Sequence, residues 1–294
     1  LRRLPAPPRL PRLLLAAHRR PRLRPDCLNN HAQIFYYRFV GLGASGPQVV
    51  EGWHGVAYGR PITRTREYIE ILRMIMAREG KAEYEGYHYN LPYNGEDGTG
   101  LGKPLKSILQ ADTSISIYTA SITNTGLATS AELADGVFPV WMNPDRYDVF
   151  EPSISKGLKK ADKTLMDFDI APFVTCILGD DVDFCRAPVK ANMALYIGGM
   201  GARDKNFYND YAKALGFEDA AIKIQDLFLA GKKDEAAAAV PDELVDATHL
   251  VGPKEKIVER LQAWKSAGEK GHVGNMLIGA GQREALELVA SEML

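Results

Sequence analysis

Gly41-Leu42-Gly43-Ala44-Ser45-Gly46, at the end of the run Ile34 to Gly43, is the stretch on which the fold turns. Aromatic and branched residues closing on glycines predict a strand that ends in a turn. The letters also match G-x-G-x-x-G, the dinucleotide fingerprint, which needs a helix immediately afterwards with its N-terminus on a pyrophosphate. Pro47, Gly52 and Gly55 fall within the next ten residues and argue against that continuation. What remains is a strand closed by a Gly-rich turn, where backbone can approach a flat ring or an anion, or a tight turn that binds nothing.

Outward from this point, strands and helices alternate. Further strands are predicted over Ile115 to Ala120, Val137 to Trp141, Pro172 to Leu178 and Asn275 to Gly279. In Thr63 to Glu79 the residues Tyr68, Ile71, Leu72, Ile75 and Met76 recur at helical spacing, which predicts an apolar stripe for packing on a sheet. Asn124 to Ala134 and Arg283 to Met293 predict two more helices. Another opens with Gly252 as cap and Pro253 at the first helical position, buries Ile257, Val258, Leu261 and Trp264, and stops at Gly268. The alternation argues for a parallel sheet with right-handed crossovers, either an open doubly wound sheet or a barrel. Between the fourth and last strands the chain is too long for a simple crossover and reads as extra helices: Val182 to Tyr196, Lys205 to Leu215, Glu218 to Ala230 and Asp234 to Val240.

Composition sets the outer limits. The chain has 294 residues, 46 % hydrophobic and 25 % charged, the balance of an ordinary globular protein. No apolar run is long enough for a membrane span. Cys27, Cys176 and Cys185 form no CxxC pair, so neither a disulfide framework nor a thiolate metal cage is expected, and a reducing cytoplasm fits best. The net charge of −1 conceals a basic segment, since residues 1–40 carry nine Arg and one acid. Residues 1–38 are therefore expected to be a Pro/Arg/Leu-rich arm, disordered or non-native, followed by the folded portion over 39–294. The missing initiator Met favours a sequence never selected to fold over a nucleic-acid or lipid-binding arm.

Three segments carry candidate chemistry. Thr119-Ala120-Ser121-Ile122-Thr123-Asn124-Thr125-Gly126 places small hydroxylated residues where a strand meets a helix start, a phosphate cradle or an ordinary N-cap. Gly198-Gly199-Met200-Gly201-Ala202-Arg203 joins a flexible turn to a cation that could clasp an anionic tail, or is a helix break with an exposed Arg. Glu51-Gly52-Trp53-His54-Gly55 puts His54 just after the first strand, as a site residue or a solvated loop histidine. The six histidines show no metal-ligand spacing, no metal is expected, and HExxH, P-loop and GxSxG are all missing from the sequence.

Taken together, Gly41 to Gly55 with Pro61-Ile-Thr-Arg-Thr-Arg-Glu-Tyr68, Gly100-Leu-Gly-Lys-Pro-Leu-Lys106, Ala131-Glu-Leu-Ala-Asp-Gly136, Tyr196 to Arg203 with Asn206-Phe-Tyr208, and Leu250-Val-Gly-Pro253 resemble the luciferase-like monooxygenase superfamily. The resemblance is to its deazaflavin-dependent (coenzyme F420) oxidoreductases and runs in order from about residue 39 to the C-terminus. It implies an α/β fold, a TIM barrel with a helical insertion after strand seven, in which the five predicted strands are the fourth to eighth. The first three βα units are then missing and residues 1–38 stand in their place. Carried over residue by residue, it implies Gly43 and Ser45 near the ring, and Ala120, Ser121 and Thr123 beside the cofactor side chain. Val140, Trp141 and Met142 fall along the phosphate end, and Gly198, Gly199, Gly201 and Arg203 at a further phosphate contact. His54 and Glu51 are the candidate catalytic groups.

The implied function is hydride transfer between F420 and a small organic substrate, with no nucleic-acid or membrane partner and with homodimer formation compatible. Two alternatives stand beside it. One is an inactive truncated remnant, favoured for the chain as written because five of eight barrel strands would leave two exposed edges. The other is an FMN-dependent monooxygenase.

Overall fold

The computed structural model of the protein describes residues 39–294. The arm expected over 1–38, and the predicted strand's residues before Phe39, lie outside the described residues. Strand β1 (Phe39–Gly43) pairs in parallel with β4 (Ser116–Ala120), Gly43 opposite Ala120. β4 pairs with β5 (Gly136–Val137), and β5 with β6 (Asp169–Ile170). A parallel bridge between Val140 and Phe173 leads on to β7 (Phe173–Leu178), which pairs with β8 (Leu250–Gly252) and β9 (Leu277–Gly279). These ladders are all parallel, as expected where helical crossovers connect successive strands.

Alternation along the strands makes two faces. Ile117 is fully buried with Ile69 and Ala134, and Leu42, Leu72 and Leu133 pack on them. That side of β1 and β4 is covered by α2 (Pro61–Ala77) and α3 (Asn124–Leu133). Phe39, Gly41, Gly43, Tyr118 and Ala120 alternate with these residues and so share the inner face. There the Tyr118 and Phe138 rings stack at 4.6 Å, and Phe39 meets both edge-on at 5.6 and 5.3 Å. Tyr118 Oη and Asn275 Nδ2 both donate to Asp169 Oδ2 at 2.7 Å, tying β4, β6 and the approach to β9.

The insertion comprises α5 (Val182–Gly199), α6 (Phe207–Ala214), α7 (Glu218–Leu229), α8 (Lys233–Ala238) and α9 (Asp242–Thr248). Arg186 on α5 reaches Asp242 and Asp246 on α9 at 2.9 and 2.5 Å, and Lys256 on α10 (Lys254–Glu269) meets Asp246 at 2.8 Å. Helix α11 (Arg283–Met293) ends the chain. No helix among the described residues is long and apolar enough to cross a membrane.

Several expectations need correction. Pro47, Gly52 and Gly55 do not prevent a helix: α1 (Pro47–His54) follows the Gly-rich turn directly. Pro47 occupies the first turn, where its missing N–H is harmless, and Gly55 at φ +64° supplies the left-handed stop. His54 therefore ends a helix rather than sitting in a loop. The stripe of α2 is rotated, since Ile69 is buried whereas Ile75 is exposed. Arg66 on Glu132 and Arg73 on Asp135 tie the neighbouring face of α2 to α3 and set that rotation. Helix α4 (Glu151–Lys160) was concealed by Pro152 and Gly157, yet a Cβ at Gly157 would stand 2.1 Å from the Ala128 carbonyl oxygen, so glycine is what lets α4 lie on α3. Leu250-Val251-Gly252 is a strand rather than a cap, and α10 begins after Pro253 and runs to Glu269. The hairpin of β2 (Tyr84–Glu85) and β3 (Asn90–Leu91) carried no legible sequence pattern; it is pinned by buried Glu67, whose carboxylate accepts from the N–H groups of Tyr87, His88 and Tyr89 at 2.7, 2.8 and 3.0 Å.

Candidate cofactor and substrate site

The carboxyl ends of the parallel strands form one rim, the end at which α/β barrels hold their ligands. On β1 and β4 it is bare. Gly43 and Ala120 are opposite each other and both exposed, and a Cβ at Gly43 would only touch the Ala120 Cβ at 3.7 Å. Below them on the same face lie Gly41 and the stacked Tyr118–Phe138 pair. An exposed strip without side-chain bulk over an aromatic floor is a surface that a flat ring system fits.

The segment after β1 is held in an unusual conformation. Ser45 adopts φ +57°, uncommon for a residue with a Cβ, and its carbonyl accepts from the Tyr58 hydroxyl at 3.1 Å. Glu51 accepts from the Tyr58 N–H at 3.1 Å, so this exposed carboxylate is tied to the same tyrosine. His54 is exposed one turn further along α1.

At the end of β4, the Thr123 side chain accepts from Gly126 N–H at 3.2 Å and caps α3. Gly126 has no room for a Cβ, which would lie 1.9 Å from Ser121 Oγ, so Ser121 is pressed against the first turn of that helix. After β5, Val140 bridges to Phe173, Trp141 is buried at φ +51°, and Met142 is fully buried in the core. A ligand along this segment would meet backbone, because two of the three side chains face inward.

The glycines of the insertion behave differently. Gly198 and Gly199 are the last turn of α5, not a flexible turn, and Cβ atoms there would stand 2.4 Å from Phe228 on α7. Gly201 is buried, and its Cβ would lie 2.5 Å from the Lys205 carbonyl oxygen. Arg203 is exposed and pairs with Asp226.

Sequence reasoning named Trp141 but not Tyr196 or Tyr208 as site residues, and so missed the aromatic wall beside the rim. Trp141, Tyr196 and Tyr208 contact one another with ring centroids 5.9, 5.5 and 4.8 Å apart, at steep angles. Tyr211 donates to the Trp141 carbonyl at 3.0 Å, locking α6 to the end of β5. Burial pushes the Tyr208 phenol up to about 12, with smaller contributions from Tyr196 and from Tyr58 across the rim. The available signal was the run of tyrosines around the Gly198 motif.

A family model described as luciferase-like monooxygenase matches residues 38–270. The chain is 38 % identical to a Mycobacterium tuberculosis protein named as a coenzyme F420-dependent oxidoreductase, over 86 % of this chain and 72 % of that one. It is 27 % identical to a 5,10-methylenetetrahydromethanopterin reductase of Archaeoglobus fulgidus, over 87 % and 72 %. Among solved structures, the coenzyme F420-dependent tetrahydromethanopterin reductase of Methanopyrus kandleri matches with a TM-score of 0.62 and 21 % identity, covering 86 % of this chain and 72 % of that one. An F420-dependent secondary alcohol dehydrogenase with an F420–acetone adduct matches at 0.56 and 14 %, covering 85 % and 66 %.

Proposed function

The chain belongs to the luciferase-like monooxygenase family, and we propose that it is a coenzyme F420-dependent oxidoreductase moving a hydride between the deazaflavin and a small organic substrate. The observation that carries this reading is the bare Gly43–Ala120 strip over the Tyr118–Phe138 floor. The similarity to F420-dependent oxidoreductases supports it.

When bound, the deazaflavin supplies or accepts the hydride, the step no side chain can perform. The protein's share is placement. Gly43 and Ala120 would let the ring approach the strands, and Ser45, fixed through Tyr58, would border it. Ser121 and the N-terminus of α3 capped by Thr123 would hold the cofactor's polar side chain, with backbone donors for an anionic tail. Trp141, Tyr196 and Tyr208 keep water from one side of the rim. Glu51 acts through Tyr58, as a positioning residue. The buried free thiols Cys176 and Cys185 support a reducing, cytoplasmic setting.

The test is a titration of the full chain with coenzyme F420, and separately with FMN, following cofactor fluorescence. Saturable quenching by F420 with a Kd of about 1 μM or tighter, and FMN at least tenfold weaker, is expected. Saturation by FMN alone would replace the reading with a flavin-dependent one. Saturation by neither would make this chain an inactive member of its family.

A further inference from the structure

The insertion brings a phenol to the rim that the fold does not need for itself. Asn206, nearly fully buried, donates to the Tyr196 and Ile197 carbonyls at 3.0 and 2.9 Å and accepts from the Tyr208 and Asn209 N–H groups at 3.0 and 3.2 Å. One side chain thus clamps the end of α5 to the start of α6 and sets Tyr196 beside Tyr208. Trp141 backs both rings from the end of β5, and Tyr58 faces Tyr208 from the segment after β1. Tyr208 is therefore bordered by Trp141 from the segment after β5 and by Tyr58 from the segment after β1. Among the described residues its hydroxyl has no hydrogen-bond partner, whereas Tyr58, Tyr118 and Tyr211 all use theirs. A half-buried phenol with no partner in the protein keeps its O–H free to donate to a ligand at the rim.

Resting on the F420 reading, we propose that Tyr208 determines specificity by donating a hydrogen bond to the carbonyl oxygen of an uncharged, apolar-bodied substrate at the rim. The aromatic wall offers the substrate apolar surface. Arg203, five residues before it, is held by Asp226 and is not a free charge for the substrate. A phenol pushed up to about 12 stays protonated, and so remains a donor, throughout the physiological range.

Cyclohexanone and methylenecyclohexane differ only in the oxygen that Tyr208 would meet, and their affinities for the full chain can be measured by saturation-transfer NMR with and without coenzyme F420. The wild type is expected to prefer cyclohexanone about tenfold, and Tyr208→Phe to lose that preference while keeping its affinity for the hydrocarbon, its melting temperature and its F420 affinity within about twofold. Tyr196→Phe is expected to retain the preference. A wild type without preference, or a Tyr208→Phe variant that keeps it, overturns the proposal. A preference that depends on Tyr208 in a protein that fails to bind F420 would sink the functional reading and leave this one standing.

Discussion

Two glycine-rich segments, Gly41 to Gly46 and Gly198 to Gly201, look alike as letters and do opposite work. In the first, a Cβ at Gly43 would make an ordinary contact at 3.7 Å and the residue faces solvent on the inner side of the strands. In the second, Cβ atoms at Gly198 and Gly199 would enter Phe228 at 2.4 Å. Glycine leaves a surface bare in one case and lets two helices touch in the other. The lesson is that a glycine's role follows from what its missing Cβ would meet, and spacing along the chain does not report that.

The contrast can be tested by adding the missing carbons. Gly198→Ala is expected to give the largest effect, a loss of about 3 kcal/mol in urea unfolding, because the nearest atom is the Phe228 Cβ rather than a flexible tip. A loss below about 0.5 kcal/mol would show that the two segments are not so different.

Acid should also act on the insertion side. His249, buried between α9 and β8, is pushed by burial down to about 4 and stays neutral in the fold. The unfolded chain takes up that proton near pH 6.5, so it binds more protons than the folded state between the two values. Stability is then complete above about pH 6.5 and falls as the pH drops towards 4, by an amount on the order of 3 kcal/mol. Unfolding curves at pH 7 and pH 4.5 measure this, and His249→Gln should flatten the dependence.

At the rim the expected effects are on binding. Gly43→Val should change stability by less than about 0.5 kcal/mol yet weaken F420 at least tenfold, roughly 1.4 kcal/mol, because the branched side chain fills the strip. Unchanged affinity would move the ring elsewhere. The smallest effect is expected for Arg203→Ala: its ion pair with Asp226 is exposed and screened by solvent, so neither stability nor F420 affinity should move measurably.

Much of the strand framework was legible because alternation and turn residues are local signals. β4 and α3 were read to within a residue or so, and Thr123 is the N-cap that its position suggested. Elements disguised by helix breakers were not legible. α1 and α4 contain Pro and Gly that the helix ends or a close helix crossing make favourable, and only the neighbouring element reveals that. The rim was legible where it is a strand end, at Gly43, Ser45 and Ala120. Its far wall was not, because Tyr58 and Tyr208 are brought together by the packing of α6 on Trp141, a contact between segments far apart in the chain.

The most direct measurement is hydrogen–deuterium exchange of the full chain with and without saturating coenzyme F420, resolved to peptides covering residues 39–46, 116–126 and 196–208. Slower exchange in the first two, with residues 198–203 unchanged, is the predicted result. Protection confined to 198–203, or none in any of the three, would contradict a cofactor seated on the bare ends of β1 and β4.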